Sequence, residues 1–182
     1  MDLLFPRLSL RQFIEALKIT AIGALIAGVY GSIHDQISYT ISPEYFTKMK
    51  YVQFGLTNSR FPPRCNVAYI GVLATWWVGL IGGWLLARLG IMKLPPAIRL
   101  RRTWHAFAIV VTTAAATGAI GVAAALFATA AGGLERWQDI QHALDIKDLR
   151  AFMIVAFLHE AGYIGAVFGV LIALIFVQRH VQ

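Results

Sequence analysis

The residues of this chain best suited to chemistry are two acid–histidine pairs, His34-Asp35 and His159-Glu160. Both pairs sit within or at the edge of long apolar segments, where an ionisable side chain is costly and turns toward the protein interior. Two imidazoles and up to three carboxylates form a ligand set for Zn²⁺ or another divalent transition ion. Tyrosines repeat the pattern: Tyr30 precedes His34 by four residues and Tyr163 follows His159 by four. Residues four apart share a helix face. The expected site holds His34, Asp35, His159, Glu160 and Glu44 as candidate metal ligands, with Tyr30, Tyr39 and Tyr163 as supporting polar groups. The same set could bind and release protons, because His titrates near neutral pH. A purely structural cluster competes with both readings. Adjacent helical residues lie about 100° apart, so both members of a pair need not point inward.

Other motifs carry less. Two histidines from two helices at one depth could also hold a b-type haem, although Asp35 and Glu160 would then place carboxylates beside both ligands. His159-Glu160-Ala161-Gly162-Tyr163 begins like a His-Glu-x-x-His zinc signature but has Tyr where the second His is needed. No Gly-x-Ser-x-Gly elbow, phosphate loop or dinucleotide fingerprint occurs, so the chain is not expected to be an enzyme by itself. Cys65 is the single cysteine, which excludes an internal disulfide and a Cys-rich metal site. His105, next to Trp104, fits an interfacial belt. Trp76, Trp77 and Trp84 lie deeper and read as packing or lipid-facing residues.

The elements that must position these groups follow from composition. Of 182 residues, 58% are hydrophobic and 14% charged. Soluble domains average about 45–50% and about 25%, so a soluble domain and a disordered chain are both excluded. Four apolar segments, near 13–33, 67–87, 105–131 and 152–177, each reach the roughly 20 residues that cross about 30 Å of hydrocarbon. Backbone groups inside lipid must be satisfied within the segment, which makes the spans helices. Met1 to Arg11 is a basic lead-in, read as part of a retained first span rather than a signal peptide. Glu15 and Lys18 are expected to form an ion pair at the start of that span. The formal charge of +7 reads as topology signals facing anionic lipid, not nucleic-acid binding.

The N-terminus, the 88–104 linker and the C-terminus hold nine of the 16 Lys and Arg, with Asp2 and Glu15 as their only acids. The 34–66 and 132–151 loops hold seven basic residues against six acids. Both termini are therefore expected in the cytoplasm and the two balanced loops outside. Ser42-Pro43-Glu44 looks like a helix start, giving a short aromatic helix over 43–55. A second amphipathic piece runs over 134–144, and Asp145 is expected to cap the final helix. Small residues at Ala27, Gly31, Ala161, Gly165 and Gly169 suit close helix contact.

The expected fold is an all-α membrane protein, an antiparallel four-transmembrane-helix bundle with short extracytoplasmic helices, forming one domain over 1–182. The expected function is a small membrane protein of a plasma-type, bacterial-inner-membrane kind. It carries an outward-facing His/carboxylate site for a metal ion or protons. The alternatives are a non-catalytic accessory subunit of a larger membrane complex and a haem-binding oxidoreductase subunit. The expected partners are the lipid bilayer and a homo-oligomer or larger complex, without nucleic acid.

Overall fold

A computed structural model describes residues 9–179; the basic lead-in up to Arg7, with Asp2, lies outside the described residues. The helices are α1 (Leu10–Ile41), the three-residue α2 (Tyr51–Gln53), α3 (Pro63–Leu89), α4 (Pro96–Ala130), the short α5 (Gln138–Leu144) and α6 (Leu149–Gln178). No strand occurs among the described residues. The four long helices are each long and apolar enough to cross a membrane. At 32 and 35 residues, α1 and α4 exceed the roughly 20 that a bilayer requires, so both overrun the expected spans. Leu25, Val29, Ile33 and Ile37 form a row along one face of α1 and remain 59–70% exposed. Such a row, four residues apart, is one exposed apolar face of the helix, as a membrane-spanning helix would present.

Local chemistry sets the helix ends. Ser9 and Gln12 form a reciprocal capping box at the start of α1. Proline opens α3 and α4, where its missing N–H costs nothing. Asp148 caps α6, its carboxylate accepting from the Ala151 N–H at 2.9 Å. The sequence had pointed to Asp145 for that role. Asp145 instead adopts a left-handed conformation, φ 50°, that closes α5, and its side chain pairs with Lys48 at 3.0 Å. The hydrogen bond and charge of Lys48 hold the Asp145 carboxyl below its usual range.

The long helices pack as two tight pairs, α1 with α3 and α4 with α6, and the two pairs touch each other more sparsely. The α1–α3 seam is built on small residues. Gly23 lies against Gly79 and Gly83, and Gly31 lies against Gly71 and Thr75. Thr75 donates to the Ala27 carbonyl across the seam and to Gly71 within its own helix, both at 2.7 Å. Later residues of α1 thus meet earlier residues of α3. The α4–α6 seam repeats the device: Gly169 meets Val110, Gly165 meets Thr117 and Gly121 meets Ala161. In a bilayer, where lipid tails are as apolar as side chains, such close backbone approach and interhelical hydrogen bonding hold helices together.

Two apolar clusters join the pairs, one at each end of the bundle. Ala16, Leu86, Ile91, Phe107, Ala173 and Val177 form part of the cluster near the α3–α4 linker. Tyr45, Phe46, Val67, Ile70, Phe152 and Val155 form part of the cluster near the two longer connections. The linker is tied down by Arg99, which donates to the Met92 and Leu94 carbonyls and pairs with Glu15 at 2.6 Å. Glu15 therefore takes Arg99 and, at 3.6 Å, Arg11 as partners, rather than Lys18. Three donors converging from the linker outcompete a single lysine on the same helix, because Arg99 can bind two carbonyls and a carboxylate at once.

A paired substitution tests the α1–α3 seam. A Cβ at Gly31 would collide with the Gly71 carbonyl and Thr75, whereas one at Gly28 meets only Val72 at 3.5 Å, an ordinary contact. Gly31→Ala is expected to destabilise the protein in detergent by about 1–3 kcal/mol. Gly28→Ala is expected to be neutral, or stabilising by up to about 1 kcal/mol through helix propensity. Thermal unfolding of the two variants side by side checks this ordering.

Candidate metal centre

His34 and Asp35 stand on α1, about two turns before its end, and His159 stands one-third of the way along α6. One ligand atom from each of these three side chains lies within 4.8 Å of the other two. The two imidazoles meet edge to face, ring centres 4.8 Å apart at 72°. His159 Nε2 lies 3.8 Å from Asp35 Oδ1 and 3.1 Å from Ser38 Oγ. Ser38 donates its own hydroxyl to the His34 carbonyl at 3.0 Å, which leaves its oxygen free to accept from His159 Nε2–H. Asp35 and His159 are 3% and 7% exposed and Ser38 is fully buried. A polar cluster this deep needs every member partnered, and the partners come from two helices of different pairs.

A cap closes the cluster on the side of the longer connections. Ser42 accepts from the Tyr45 N–H, and the chain then winds a π-helical turn over Tyr45–Lys50 before α2. Gly55, at φ 69°, ends the segment in a conformation that favours glycine. The short helix expected over 43–55 is therefore present over 43–53, but widened and underwound where it turns π-helical. This widening brings Tyr45 against the His159 ring, centres 5.0 Å apart, and Phe46 to 6.3 Å from it. Single π-helical turns are rare and recur at functional sites. Lys50 lies over the Tyr45 ring at 5.6 Å. Burial lowers the Lys50 ammonium pKa and the charge of Asp35 partly restores it, so cation and cluster sense each other. Burial likewise raises the Tyr45 hydroxyl, which stays neutral.

The structure separates the residues expected at the site. His34, Asp35 and His159 come together. Tyr30 stacks on His34, ring centres 5.5 Å apart, and Tyr163 donates to the Ala74 carbonyl at 3.4 Å, one turn beyond His159. Glu160 is exposed and outside the cluster, since its neighbour His159 takes the inward direction and the next residue points about 100° away. Glu44 is elsewhere too: its carboxylate accepts from the N–H groups of Lys147 and Asp148 at 2.8–3.1 Å. Those N–H groups precede α6 and would otherwise lack an intrahelical partner. Tyr39 packs edge-on to Phe46 at 5.7 Å and lies beneath the Arg64 guanidinium. Sequence reasoning missed Ser38, Tyr45, Phe46 and Lys50. Ser38 follows His34 by four residues, so the same spacing rule that selected Tyr30 could have found it.

Two imidazoles and one carboxylate are the donor set of many zinc and non-haem iron sites that keep coordination positions open. Metal–ligand bonds of 2.0–2.2 Å place donors about 3.4 Å apart around a tetrahedral ion, so the cluster needs to contract by about 1 Å. Haem fits less well. Axial ligation requires a flat macrocycle between two imidazoles, and these rings already touch edge to face. His105 plays no part here; its Nδ1 lies 2.8 Å from the Arg101 carbonyl near the linker end. Comparison of the chain with protein-family models, curated proteins and solved structures found no match.

Proposed function

We propose that this protein is an integral membrane metal-binding protein that holds one divalent transition ion between α1 and α6. The observation that carries the reading is the convergence of His34, Asp35 and His159, two of them buried, from two helix pairs. An ionisable group inside a span is expensive and is kept where it serves an ion, a proton or a partner. The bundle is antiparallel; the descending order of contacts in both seams supports this. The chain forms a single integral domain in a plasma-type membrane with both termini in the cytoplasm. On that orientation the capped cluster faces outward, supported by the basic excess in Arg88–Arg102. The π-helical cap and α5 then lie on the extracytoplasmic side.

Metal analysis and zinc titration of the detergent-purified full chain test the reading. About one Zn²⁺ per chain is expected. Loss of groups that merely orient a ligand costs about 10–100-fold in metal affinity, so His34→Ala and His159→Ala, which remove ligands, should each weaken binding by at least that factor. A folded His34→Ala, His159→Ala double variant that binds zinc like the wild type would overturn the proposal. Absence of metal together with proton uptake by the cluster on acid titration would overturn it in favour of proton handling.

Glu44 and Glu160 give the opposite expectation. Glu44→Ala should cost about 0.5–2 kcal/mol in thermal stability, as loss of a helix-end cap does, while zinc stoichiometry stays at the wild-type value. Glu160→Gln should change neither. A loss of zinc binding in the still-folded Glu44→Ala variant would place that carboxylate in the ligand set after all.

A further inference from the structure

Below the His/Asp cluster the two helix pairs enclose a slot. Its free volume is about 100 Å³, and it runs along α1 from His34 and Asp35 past Tyr30 and Ala27 to Gly23. Twelve residues separate Gly23 from Asp35, so the slot is about 18 Å long at 1.5 Å per residue. Its walls on the other helices include Gly79, Leu86, Val110 and Ala166. Its ionisable groups gather toward one end, at the cluster, and the Thr75 hydroxyl partway along is engaged by the Ala27 and Gly71 carbonyls. The slot lies between the two apolar clusters that join the helix pairs at either end. It also lies on the seam where the pairs pack sparsely. A long apolar cavity in a lipid-embedded seam, polar at one tip, fits a membrane amphiphile of one chain.

Charge selects the head of that amphiphile. On the metal-binding reading above, a divalent ion with two neutral imidazoles and one Asp35 carboxylate leaves one uncompensated positive charge. Lys50 adds a second cation nearby, over the Tyr45 ring that packs on His159. Glu160 is exposed and outside the ligand set. An unbalanced charge in a low-dielectric bundle is expensive. A monoanionic ligand at an open coordination position removes the imbalance, and the slot accepts its tail.

We propose that the protein binds a long-chain fatty acid, its carboxylate on the metal held by His34, Asp35 and His159 and its tail in the slot between the helix pairs. The proposal rests on the metal-binding reading and names the ligand of that site. An extended tetradecanoate is of comparable length to the slot. Its tail enters sideways from the bilayer through the sparse seam, which widens around it.

The test uses the full chain in non-ionic detergent, with radiolabelled tetradecanoate as ligand and tetradecanol as the uncharged control. Zinc-loaded protein is expected to bind about one tetradecanoate and at least tenfold less tetradecanol, and stripping the zinc is expected to abolish acid binding. Ala166→Leu, two helical turns below His159, fills the slot and should lose tetradecanoate while keeping zinc at the wild-type stoichiometry. Zinc binding without tetradecanoate binding overturns this inference and leaves the metal site standing. Equal binding of acid and alcohol, or acid binding that survives zinc removal, overturns it as well. Failure of zinc to bind the wild type overturns both.

Discussion

The burial of His159 against Asp35 and Ser38 fixes how the two helix pairs meet. Each pair is self-sufficient: α1 and α3 interlock through glycines and Thr75, and α4 and α6 through Gly165, Gly169 and Gly121. Neither seam dictates how one pair is rotated against the other. Apolar contact does so weakly in lipid, because a side chain that leaves a neighbouring helix finds an equally apolar tail. A buried imidazole has no such freedom. It must keep its hydrogen bond to Ser38 and its place beside Asp35, because an unpaired polar group in a low-dielectric interior costs far more than the bond gains. The cluster therefore acts as the register pin of the bundle, whatever else it holds.

The same constraint explains where the bundle is tight and where it is open. Glycine contacts draw the backbones of each pair together, so little space remains within a pair. Between pairs, contact is concentrated at the two ends, by Phe46, Phe152 and Ile70 at one and Phe107, Ile91 and Val177 at the other. The middle is left with small residues from several helices, Gly23, Ala27, Gly79, Ala114 and Ala166 among them, and the cavity forms there. A stripe of glycine and alanine that pulls two helices together on one side leaves a hollow on the other.

Much of this was legible in the sequence. Apolar segments of sufficient length give directly four helices long and apolar enough to cross a membrane, and Ser42-Pro43-Glu44 marks the end of the first. His34, Asp35 and His159 stand out by residue type and by their expected depth, counted about 20 residues outward from the inner boundary at Lys18 and at Gln178. Single residues within a pair were not legible. Adjacent positions differ by about 100° in direction, so only the rotation of α6 decides that His159 points inward and Glu160 outward. Glu44 misled because a carboxylate near a helix end serves equally as ligand or cap. The two N–H groups it binds lie more than 100 residues away, at Lys147 and Asp148. Glu15 went to Arg99 over Lys18 for the same reason: partners across the fold compete with partners along the helix.

Two routes into the cluster differ in kind. From the connection side it is covered by Tyr45 and Phe46, which face His159, with Lys50 above them. From the membrane side it opens onto an apolar slot. A hydrated cation cannot enter through the slot, since it would have to shed its water against methyl groups. Its path therefore runs through the cap, and Lys50 opposes that passage unless the ammonium moves aside or loses its proton. Burial lowers the ammonium pKa and the charge of Asp35 opposes that shift. The π-helical turn that carries Tyr45 and Lys50 is held by the Ser42 hydroxyl, the edge of Tyr39 and the aromatic pair with Phe152. An apolar molecule meets the reverse situation, an open seam and a closed cap. On the proposed reading, ions reach the cluster through the cap and apolar chains through the seam, and the two meet at His34, Asp35 and His159.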